Sequence, residues 1–492
     1  MPRWLSAQLT TGDIIVSHNE LNGGGEQATT MIRVFKHYVP HAVLLLGVLD
    51  FFLLVCSAEA AWVIRAHEIG MDVDYVLNRS PALLSFAAAI QIAMVSVGVY
   101  GNEALQSLRY AFARLLVAIS LGVIFMSVIY FLMPTMTMWR SNAFYAMMIA
   151  TGLLLLIRLF LGSMVGGEGF KRRLVVLGAG ARADRIRQLE RRRGAGFLVV
   201  GYIGMRDGEN LIPEAINRNA IYNLSDYVVG LGASEVVLAL EERRNAIPMA
   251  DLLRIKTTGV HVNDLSTFLE RETGRIDLDS VNPSWLIFSD GFSSGRRLSG
   301  ISKRAFDLTA SAALLALTFP IIALAALLVK LDSKGPAFYR QQRVGLYGAE
   351  FWIIKLRTMR IDAEVDGKAQ WAEKDDPRIT RIGYWLRKLR IDELPQCWTV
   401  LKGDMSFVGP RPERRQFVEG LEQELRYYAE RHMVKPGITG WAQINYPYGA
   451  SLEDARHKLE YDLYYAKNYT PFLDILILLQ TARVILWPDG AR

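Results

Sequence analysis

Residues 303–334 read KRAFDLTASAALLALTFPIIALAALLVKLDSK, and the 22 residues from Leu308 to Val329 carry no charge. That length is sufficient to cross the hydrocarbon layer of a bilayer. Basic residues stand at both ends, however, and Pro320 removes a helical hydrogen bond near the middle. A helix broken at Pro320 would enter and leave the membrane by one face, which keeps both basic ends in the cytoplasm. We therefore predict a re-entrant membrane helix over residues 306–330 rather than a full span.

Four further apolar runs precede this segment, at about 38–64, 82–100, 115–133 and 142–164. They predict a bundle of four transmembrane helices, and the cations that flank them place both ends of the bundle in the cytoplasm. Asp50 and Glu59 lie within the first run. We expect both to face the bundle interior or an interface, with a polar function inside the membrane as the alternative.

Composition agrees with a chain that is partly embedded in a membrane. Of the 492 residues, 51% are hydrophobic and 21% are charged, which excludes a disordered or fibrous protein. The net charge of +7 suits phosphates, anionic lipids or nucleic acid alike and selects none of them. The two cysteines lie far apart without a metal-ligand spacing, which argues against a disulfide framework and against a zinc site.

Beyond the bundle, residues 173–183 read RLVVLGAGARA, the pattern of a strand, a glycine turn and a helix start. A turn of the form Gly178-x-Gly180-x-x-Ala183 would hold a dinucleotide pyrophosphate at a helix N-terminus. The third glycine is replaced by alanine, however, and no convincing ribose-binding acid follows. We predict a Rossmann-like α/β domain with a largely parallel sheet and a structural or regulatory role.

The predicted fold class is a four-span helical membrane bundle, a Rossmann-like α/β domain and a mixed, helix-rich catalytic domain that carries the re-entrant helix. The predicted divisions are a flexible tail (1–31), the transmembrane region (32–168), the α/β domain (169–276), a linker (277–302) and the catalytic domain (303–492). The apolar stretch 471–487 is too short to span a membrane and predicts an interfacial or a core helix.

The segment 335–445 interleaves basic residues with glycine turns, the combination that binds phosphate oxygens. The cations that we expect to contact phosphate or substrate are Lys355, Arg357, Arg387, Arg390, Arg411 and Lys435. Asp392 and Glu393 form an acidic pair directly after three of the basic side chains of this segment. One carboxylate would attack phosphorus while the other holds a divalent metal ion.

These residues resemble the monotopic phosphoglycosyl transferases, bacterial enzymes that move hexose-1-phosphate onto a polyprenyl phosphate. The matching strings occur in order over residues 301–492: Lys303-Arg304-x-Phe306-Asp307, the helix with Pro320, Lys355-x-Arg357-Thr-Met359, Asp392-Glu393-Leu-Pro395-Gln396, Leu401-Lys402-Gly403-Asp404-Met405-Ser406, Val408-Gly409-Pro410-Arg411-Pro412 and Pro436-Gly437-Ile-Thr439-Gly440-Trp441. Thr358 and Thr399 depart from the usual serine and asparagine, outside the proposed chemistry.

The resemblance implies that Asp392 is the nucleophile and that Glu393 is the ligand of Mg²⁺. It also implies that Arg411, with Arg387 or Arg390, clamps phosphate oxygens. The implied reaction transfers hexose-1-phosphate from a UDP-sugar to undecaprenyl phosphate, releases UMP and initiates exopolysaccharide or O-antigen-type synthesis. A covalent phospho-sugar on Asp392 would be the intermediate.

On the membrane helix, Lys303, Arg304 and Lys330 are expected to contact lipid headgroups or to act as interfacial anchors. Asp307 is expected to cap the helix or to hold a basic partner. The implied location is the bacterial inner membrane with the catalytic domain on the cytoplasmic face, without a nucleic-acid partner; a homodimer is left open. The alternatives are a non-catalytic scaffold of polysaccharide assembly and a nucleotide-sugar-modifying enzyme built on the α/β domain.

Overall fold

The computed structural model describes residues 31–34, 37–71, 75–100, 108–165, 171–192, 195–206, 211–241, 247–281, 297–364, 376–447, 449 and 451–486. All but the last residue of the predicted tail lies outside these ranges. The predicted linker is described only at its two ends, 277–281 and 297–302.

A short antiparallel hairpin opens the described chain and leads into four long apolar helices. Its strands are β1 (Met31–Val34) and β2 (His37–Pro40). The helices are α1 (His41–Ile69), α2 (Val76–Val97), α3 (Leu108–Leu132) and α4 (Arg140–Val165). Each contains a segment long and apolar enough to cross a membrane, and neighbouring helices pack around a shared apolar interior. The predicted apolar runs therefore correspond to four helices, with ends shifted by a few residues.

The helical bundle contains one fully buried and one half-buried ion pair among the described residues. Asp50 is fully buried and accepts hydrogen bonds from the Arg158 guanidinium at 2.6 Å and from the Tyr100 hydroxyl at 2.8 Å. Glu59 accepts a hydrogen bond from Arg79 at 2.8 Å. The expectation that both acids face the interior or an interface is confirmed, and each has a cationic partner that reduces the cost of burying its charge.

The middle of the described chain forms one parallel five-stranded sheet in the order β5-β4-β3-β6-β7. The strands are β3 (Arg172–Leu177), β4 (Phe197–Gly204), β5 (Ile216–Asn217), β6 (Glu235–Leu238) and β7 (His261–Asp264). The helices are α5 (Ala181–Glu190), α6 (Leu224–Gly230), α7 (Met249–Thr257) and α8 (Leu265–Thr273). Two apolar clusters form from alternate residues of the central strands, because parallel sheets bury both faces.

The fifth apolar helix, α9, runs from Arg297 to Asp332 and is longer at both ends than the predicted 306–330. The prediction that the helix is broken at Pro320 was wrong, because the helical structure continues through this residue. The 36 residues of α9 correspond to a length of about 54 Å. Residues 300–332 satisfy the length and hydropathy of a membrane span. The re-entrant path stays a prediction.

A compact unit of short helices and two small sheets follows α9. Its strands are β8 (Phe338–Val344) with β9 (Glu350–Leu356), which are antiparallel, and β10 (Ser406–Val408) with β11 (Gly437–Thr439), which are parallel. Its helices are α10 (Arg381–Lys388), α11 (Gln396–Lys402), α12 (Arg415–Glu424), α13 (Trp441–Asn445), α14 (Leu452–Asn468) and α15 (Pro471–Leu486). Leu473 and Ile477 of α15 lie fully buried in the apolar core of this unit, and α15 also packs against α2. Of the two predictions for this stretch, the core helix is observed.

The α/β sheet domain is docked onto α14 through a buried polar contact. Glu270 accepts hydrogen bonds from the Lys467 ammonium at 2.6 Å and from the Asn468 amide at 2.8 Å, and all three side chains are buried. The Trp441 indole donates to the carbonyl of Gly274 at 2.8 Å. Ile276 lies in the apolar core of the C-terminal unit. The two units therefore share a desolvated interface.

We expect Glu270→Ala to destabilise the full-length protein by about 3–5 kcal/mol, because it leaves the buried Lys467 ammonium without its carboxylate. Thermal unfolding in detergent measures the effect, with Glu422→Ala on an exposed surface as the matched control. Equal unfolding temperatures for the two variants would show that the Glu270–Lys467 contact does not stabilise the protein.

Candidate active site

The acidic pair lies in a tight turn between α10 and α11. Residues 391–393 form one turn of 3₁₀ helix, and Arg390 adopts a left-handed conformation (φ +57°) that ends the preceding helix. Thr380 caps the start of α10 through the Gly383 amide, and Pro395 immediately precedes α11. The local sequence thus fixes the direction in which the two carboxylates leave the backbone.

The two carboxylates have different surroundings. Asp392 is 8% exposed and lines a cavity of about 970 Å³. Glu393 is directed to two cations, since its Oε1 accepts from Lys355 Nζ at 2.9 Å and from Arg411 at 2.7 Å. Arg390 is 3.9 Å from the other Glu393 oxygen. The structure therefore brings together five of the predicted residues around one turn.

Burial and charge separate the pKa values of the pair. Burial, reinforced by the neighbouring Glu393 carboxylate, raises the pKa of Asp392 above its usual range. Burial would also raise the pKa of Glu393, but Arg411 and Lys355 outweigh it and hold that pKa well below its usual range. Burial lowers the pKa of Lys355 against the opposing effect of Glu393. Glu393 is thus a fixed anion, whereas Asp392 is the more basic carboxylate and faces the cavity.

The cavity wall beside Asp392 is strongly cationic. Arg387 lines it and donates from Nε to the Thr358 hydroxyl at 3.0 Å, which orients the guanidinium. The basic side chains that line the cavity are Arg343, Lys355, Arg357, Arg360, Arg378, Arg387, Lys388, Arg390, Arg411, Arg414, Arg431 and Lys458. Such a wall suits a ligand with several phosphate charges.

Two predicted phosphate contacts have other partners in the structure. Arg357 lines the cavity, but its terminal nitrogens donate to the Ser333 and Lys334 carbonyl oxygens at 2.8 and 2.6 Å, which secures the end of α9. Lys435 is not among the residues that line the cavity, and its ammonium donates to the Gly403 carbonyl oxygen at 2.7 Å. Both side chains therefore have partners within the protein, and their predicted contacts with phosphate or substrate stay predictions.

Two of the three cations predicted to contact the membrane are likewise held by groups of the protein itself. Lys303 donates to Asp474 at 2.6 Å and to the Val408 carbonyl oxygen at 3.1 Å. Arg304 donates to the carbonyl oxygens of Val400 and Leu401, both at 2.7 Å. These contacts join α9 to the C-terminal unit and do not support a role for either cation in binding headgroups.

Two other predictions about α9 have different outcomes. Asp307 accepts hydrogen bonds from the Ser406 hydroxyl and from the Phe407 amide, both at 3.0 Å. It therefore secures β10 rather than capping its own helix. Pro320 is exposed in the middle of α9, and the helix continues through it, so the predicted break at this residue is not observed.

The loop that carries Arg411 is fixed by residues that sequence reasoning missed. Arg431 donates to the Arg411 carbonyl oxygen at 3.0 Å and forms a buried ion pair with Asp462 at 2.7 Å. Arg343 donates to the Pro412 carbonyl oxygen at 3.2 Å. Arg431 and Asp462 are 31 positions apart on separate elements, so the sequence contains no local signal of their pairing.

The residues present do not fit Mg²⁺ at Glu393 as they are arranged. Glu393 Oε1 is already shared by two cations, and the residue does not line the cavity. No cluster of three or more metal-ligating side chains occurs among the described residues. Mg²⁺ accepts few protein ligands, but those ligands must be accessible to it. The magnesium site stays a prediction, and no step below depends on it.

The glycine turn of the sheet domain already binds an anion of its own. The Glu241 carboxylate accepts a hydrogen bond from the Ala181 amide, at the start of α5, at 2.9 Å. A Cβ atom at Gly180 would lie 2.5 Å from the same carboxylate oxygen. Gly178 has φ +125°, and a Cβ there would lie 2.5 Å from the Ala239 carbonyl oxygen. In this turn an internal carboxylate occupies the place of a pyrophosphate.

An acidic pair among fixed cations, beside a long apolar helix, defines a membrane-integral protein with a site suited to phosphates. Residues 298–488 match the family described as bacterial sugar transferase. The chain belongs to this bacterial sugar transferase family.

Three relatives illustrate the match. The chain is 42% identical over 241 residues to a UDP-N-acetylgalactosamine-undecaprenyl-phosphate N-acetylgalactosaminephosphotransferase of Aeromonas hydrophila, which covers 49% of this chain and 56% of the relative. It is similar to two proteins named UDP-glucose:undecaprenyl-phosphate glucose-1-phosphate transferase. The Xanthomonas campestris protein is 44% identical over 34% of this chain and 35% of its own length. The Caulobacter vibrioides protein is 42% identical over 39% of this chain and 72% of its own length. The chain thus spans about half or less of the longer relatives that it matches.

We expect Arg431→Met to lower the free energy of unfolding by about 3 kcal/mol, because Asp462 becomes a buried, uncompensated charge. The double variant Arg431→Met/Asp462→Leu should recover most of this loss, since apolar groups replace both partners. Thermal unfolding in detergent measures both. If the double variant is as unstable as the single one, the stability comes mainly from the other hydrogen bonds of Arg431, to Tyr428 and to the Arg411 carbonyl oxygen.

Proposed function

We propose that the protein transfers a hexose-1-phosphate from a UDP-sugar to undecaprenyl phosphate, releases UMP and starts the synthesis of an exopolysaccharide or O-antigen-type glycan. The names of its relatives support both substrates. The observation that carries the proposal is the position of Asp392, a buried carboxylate facing a large cationic cavity.

In the first step a carboxylate oxygen of Asp392 attacks the sugar-linked phosphorus of the UDP-sugar. The bond from that phosphorus to the bridging oxygen breaks, and UMP leaves with the bridging oxygen and its electron pair. A phospho-sugar remains on Asp392 as an acyl phosphate. Arg387, Arg390 and Arg411 supply the positive charge that positions the diphosphate and stabilises its charge during transfer.

In the second step an oxygen of the lipid phosphate attacks the same phosphorus. The bond to Asp392 breaks, which restores the free carboxylate and yields polyprenyl-diphospho-sugar. Dividing the exchange into two steps allows a water-soluble donor and a lipid acceptor to use one nucleophile in turn. The raised pKa of Asp392 favours attack, because a more basic carboxylate is the better nucleophile.

Glu393 contributes by holding the cationic wall in place. Its Oε1 ties Lys355 of β9 to Arg411 of the loop 410–412, and both cations also line the cavity. Because its own charge is neutralised by these partners, Glu393 repels an incoming diphosphate less than a free carboxylate would.

For the membrane arrangement, we infer four spans in the bacterial inner membrane, a Rossmann-like domain and a catalytic domain on the cytoplasmic face. The predicted divisions are retained, with α9 as the re-entrant helix. The basic flanks of the apolar helices support this orientation. The packing of α15 against α2 supports a catalytic unit close to the bundle.

The two alternatives have less support. A nucleotide-sugar-modifying enzyme would need the glycine turn for its cofactor, and Glu241 occupies that turn. A non-catalytic scaffold would have no need of a buried carboxylate with a raised pKa at a cationic cavity.

We expect Asp392→Asn to reduce UMP release from UDP-sugars at least about a thousandfold, because the amide cannot form the acyl phosphate. A panel of UDP-sugars with purified protein and undecaprenyl phosphate measures the release and identifies the hexose. Asp404→Asn, which removes an acid paired with Lys402 on the same unit, is the matched control. Equal release by wild type and Asp392→Asn would exclude the covalent mechanism.

The pH dependence offers a second test. Asp392 must be ionised to attack, so its raised pKa places the acidic limb of the rate profile above the range of an ordinary aspartate. Glu393→Gln removes an anion that raises this pKa and should move the limb to lower pH. Arg387→Gln removes a cation that lowers it and should move the limb to higher pH. Single-turnover UMP release without acceptor measures the limb, and shifts in the opposite directions would contradict Asp392 as the titrating group.

A further inference from the structure

A shallow, open depression of about 600 Å³ lies on the surface between the C-terminal end of α9 and the start of β8. We call it the α9–β8 groove. From α9 it is lined by Ala326, Leu327 and Lys330, and from the following segment by Pro336, Ala337, Phe338 and Arg340. Its α9 wall belongs to the apolar helix, so the groove begins at the part of the protein that we place in the membrane.

The groove is continuous with the cavity that contains Asp392, because Pro336 and Phe338 line both. Side chains alternate between the two faces of a strand. Accordingly Tyr339 and Gln341 of β8 line the Asp392 cavity, whereas Arg340 lines the groove. Phe338 stands where the two spaces meet.

This meeting point is close to the acidic pair. Phe338 pairs with Leu356 in the β8–β9 ribbon, and the next pair is Tyr339 with Lys355. Neighbouring pairs are about 3.3 Å apart along a strand. The ammonium of Lys355 contacts Glu393 at 2.9 Å, next to Asp392. A ligand in the groove therefore lies beside the strand pair whose Lys355 side chain contacts the acidic pair.

The groove also carries positive charge that the described residues do not neutralise. Neither Lys330 nor Arg340 has a side-chain hydrogen bond or ion pair within the described part of the chain, and both are exposed. Lys303, Arg304 and Arg357, by contrast, each bind acceptors of the protein itself. Lys330 follows directly on the charge-free run of α9, where a basic residue is expected at the level of lipid headgroups.

We propose that the α9–β8 groove binds the polyprenyl phosphate acceptor, an inference that rests on the proposed function. The isoprenoid chain lies against Ala326, Leu327 and Phe338, and the phosphate lies between Lys330 and Arg340. From there a phosphate oxygen attacks the phosphorus held on Asp392. The carboxylate leaves, and the oxygen–phosphorus bond to the lipid takes its place.

The two cations of the groove and its continuity with the Asp392 cavity favour a polyprenyl phosphate over an ordinary phospholipid. A phospholipid headgroup would gain from the two cations but not from an opening towards Asp392. A free phosphate would gain from the cations but would leave Leu327 and Phe338 without an apolar partner, and these are 55% and 43% exposed. A lipid-linked phosphate monoester uses the charge, the apolar wall and the opening together.

The test compares Lys330→Gln, Arg340→Gln and the double variant in full-length protein in nanodiscs. Each single substitution should raise the KM for undecaprenyl phosphate about tenfold, as expected for one lost charged contact. The single-turnover yield of UMP without acceptor should not change. Lys334→Gln removes the same charge just beyond α9, outside the groove, and should leave both quantities unchanged.

A binding arm makes the result independent of turnover. Undecaprenyl phosphate should bind to the Asp392→Asn protein, and the added double substitution should weaken that binding at least about tenfold. Inorganic phosphate should not compete at similar concentrations. The difference in affinity between the proteins with and without the double substitution should persist in nanodiscs with a larger fraction of anionic phospholipid.

Three results would overturn the proposal. The first is an unchanged acceptor KM in the double variant with a normal UMP yield. The second is an equal effect of Lys334→Gln. The third is loss of the difference in anionic nanodiscs, which would identify the cations as headgroup anchors. A wild-type protein that releases no UMP from any UDP-sugar would refute the proposed function instead. The binding experiment would still show whether the α9–β8 groove binds undecaprenyl phosphate.

Discussion

The shared carboxylate of Glu393 is the constraint on which the geometry of the site depends. It joins three segments that are distant in the chain: Lys355 on β9, the turn after α10, and the loop with Arg411. Without this anion, two buried or half-buried cations would face each other beside the cavity. Removing one partner of a buried ion pair destabilises a protein by more than the intact pair stabilises it. Loss of the Glu393 carboxylate should therefore loosen all three segments. Asp392, one residue earlier, is thereby held towards the cavity without having to pair itself.

A second set of contacts links this site to the rest of the protein through α14. One side of that helix lines the cavity with Lys458 and Asp462. Its C-terminal end carries Lys467, which contacts Glu270 of the sheet domain. A helix is stiff over this length, so the sheet domain restrains a wall of the cavity even though none of its described residues lines that cavity. Lys303 and Asp474 provide a comparable restraint between α9 and α15.

The sequence predicted what depends on local pattern. The apolar runs, the strand–turn–helix unit at Gly178 and the acidic pair at Asp392 are all visible as periodicity, length or adjacency. The partners of long polar side chains were not predictable in the same way. Lys303, Arg304, Arg357 and Lys435 look like any exposed phosphate-binding cation in the sequence, yet each donates to carbonyl oxygens or carboxylates brought near by tertiary packing. Arg431 was missed for the same reason, because its importance lies in the carbonyl group that it reaches.

The carboxylate of Glu241 in the glycine turn has a consequence for control of the protein. It is tethered to the same domain, so its effective concentration at the Ala181 amide far exceeds that of a dissolved metabolite. A dissolved anion would therefore have to displace this carboxylate before it could accept a hydrogen bond from the Ala181 amide. The start of α5 is thus supplied with a negative charge from within its own domain.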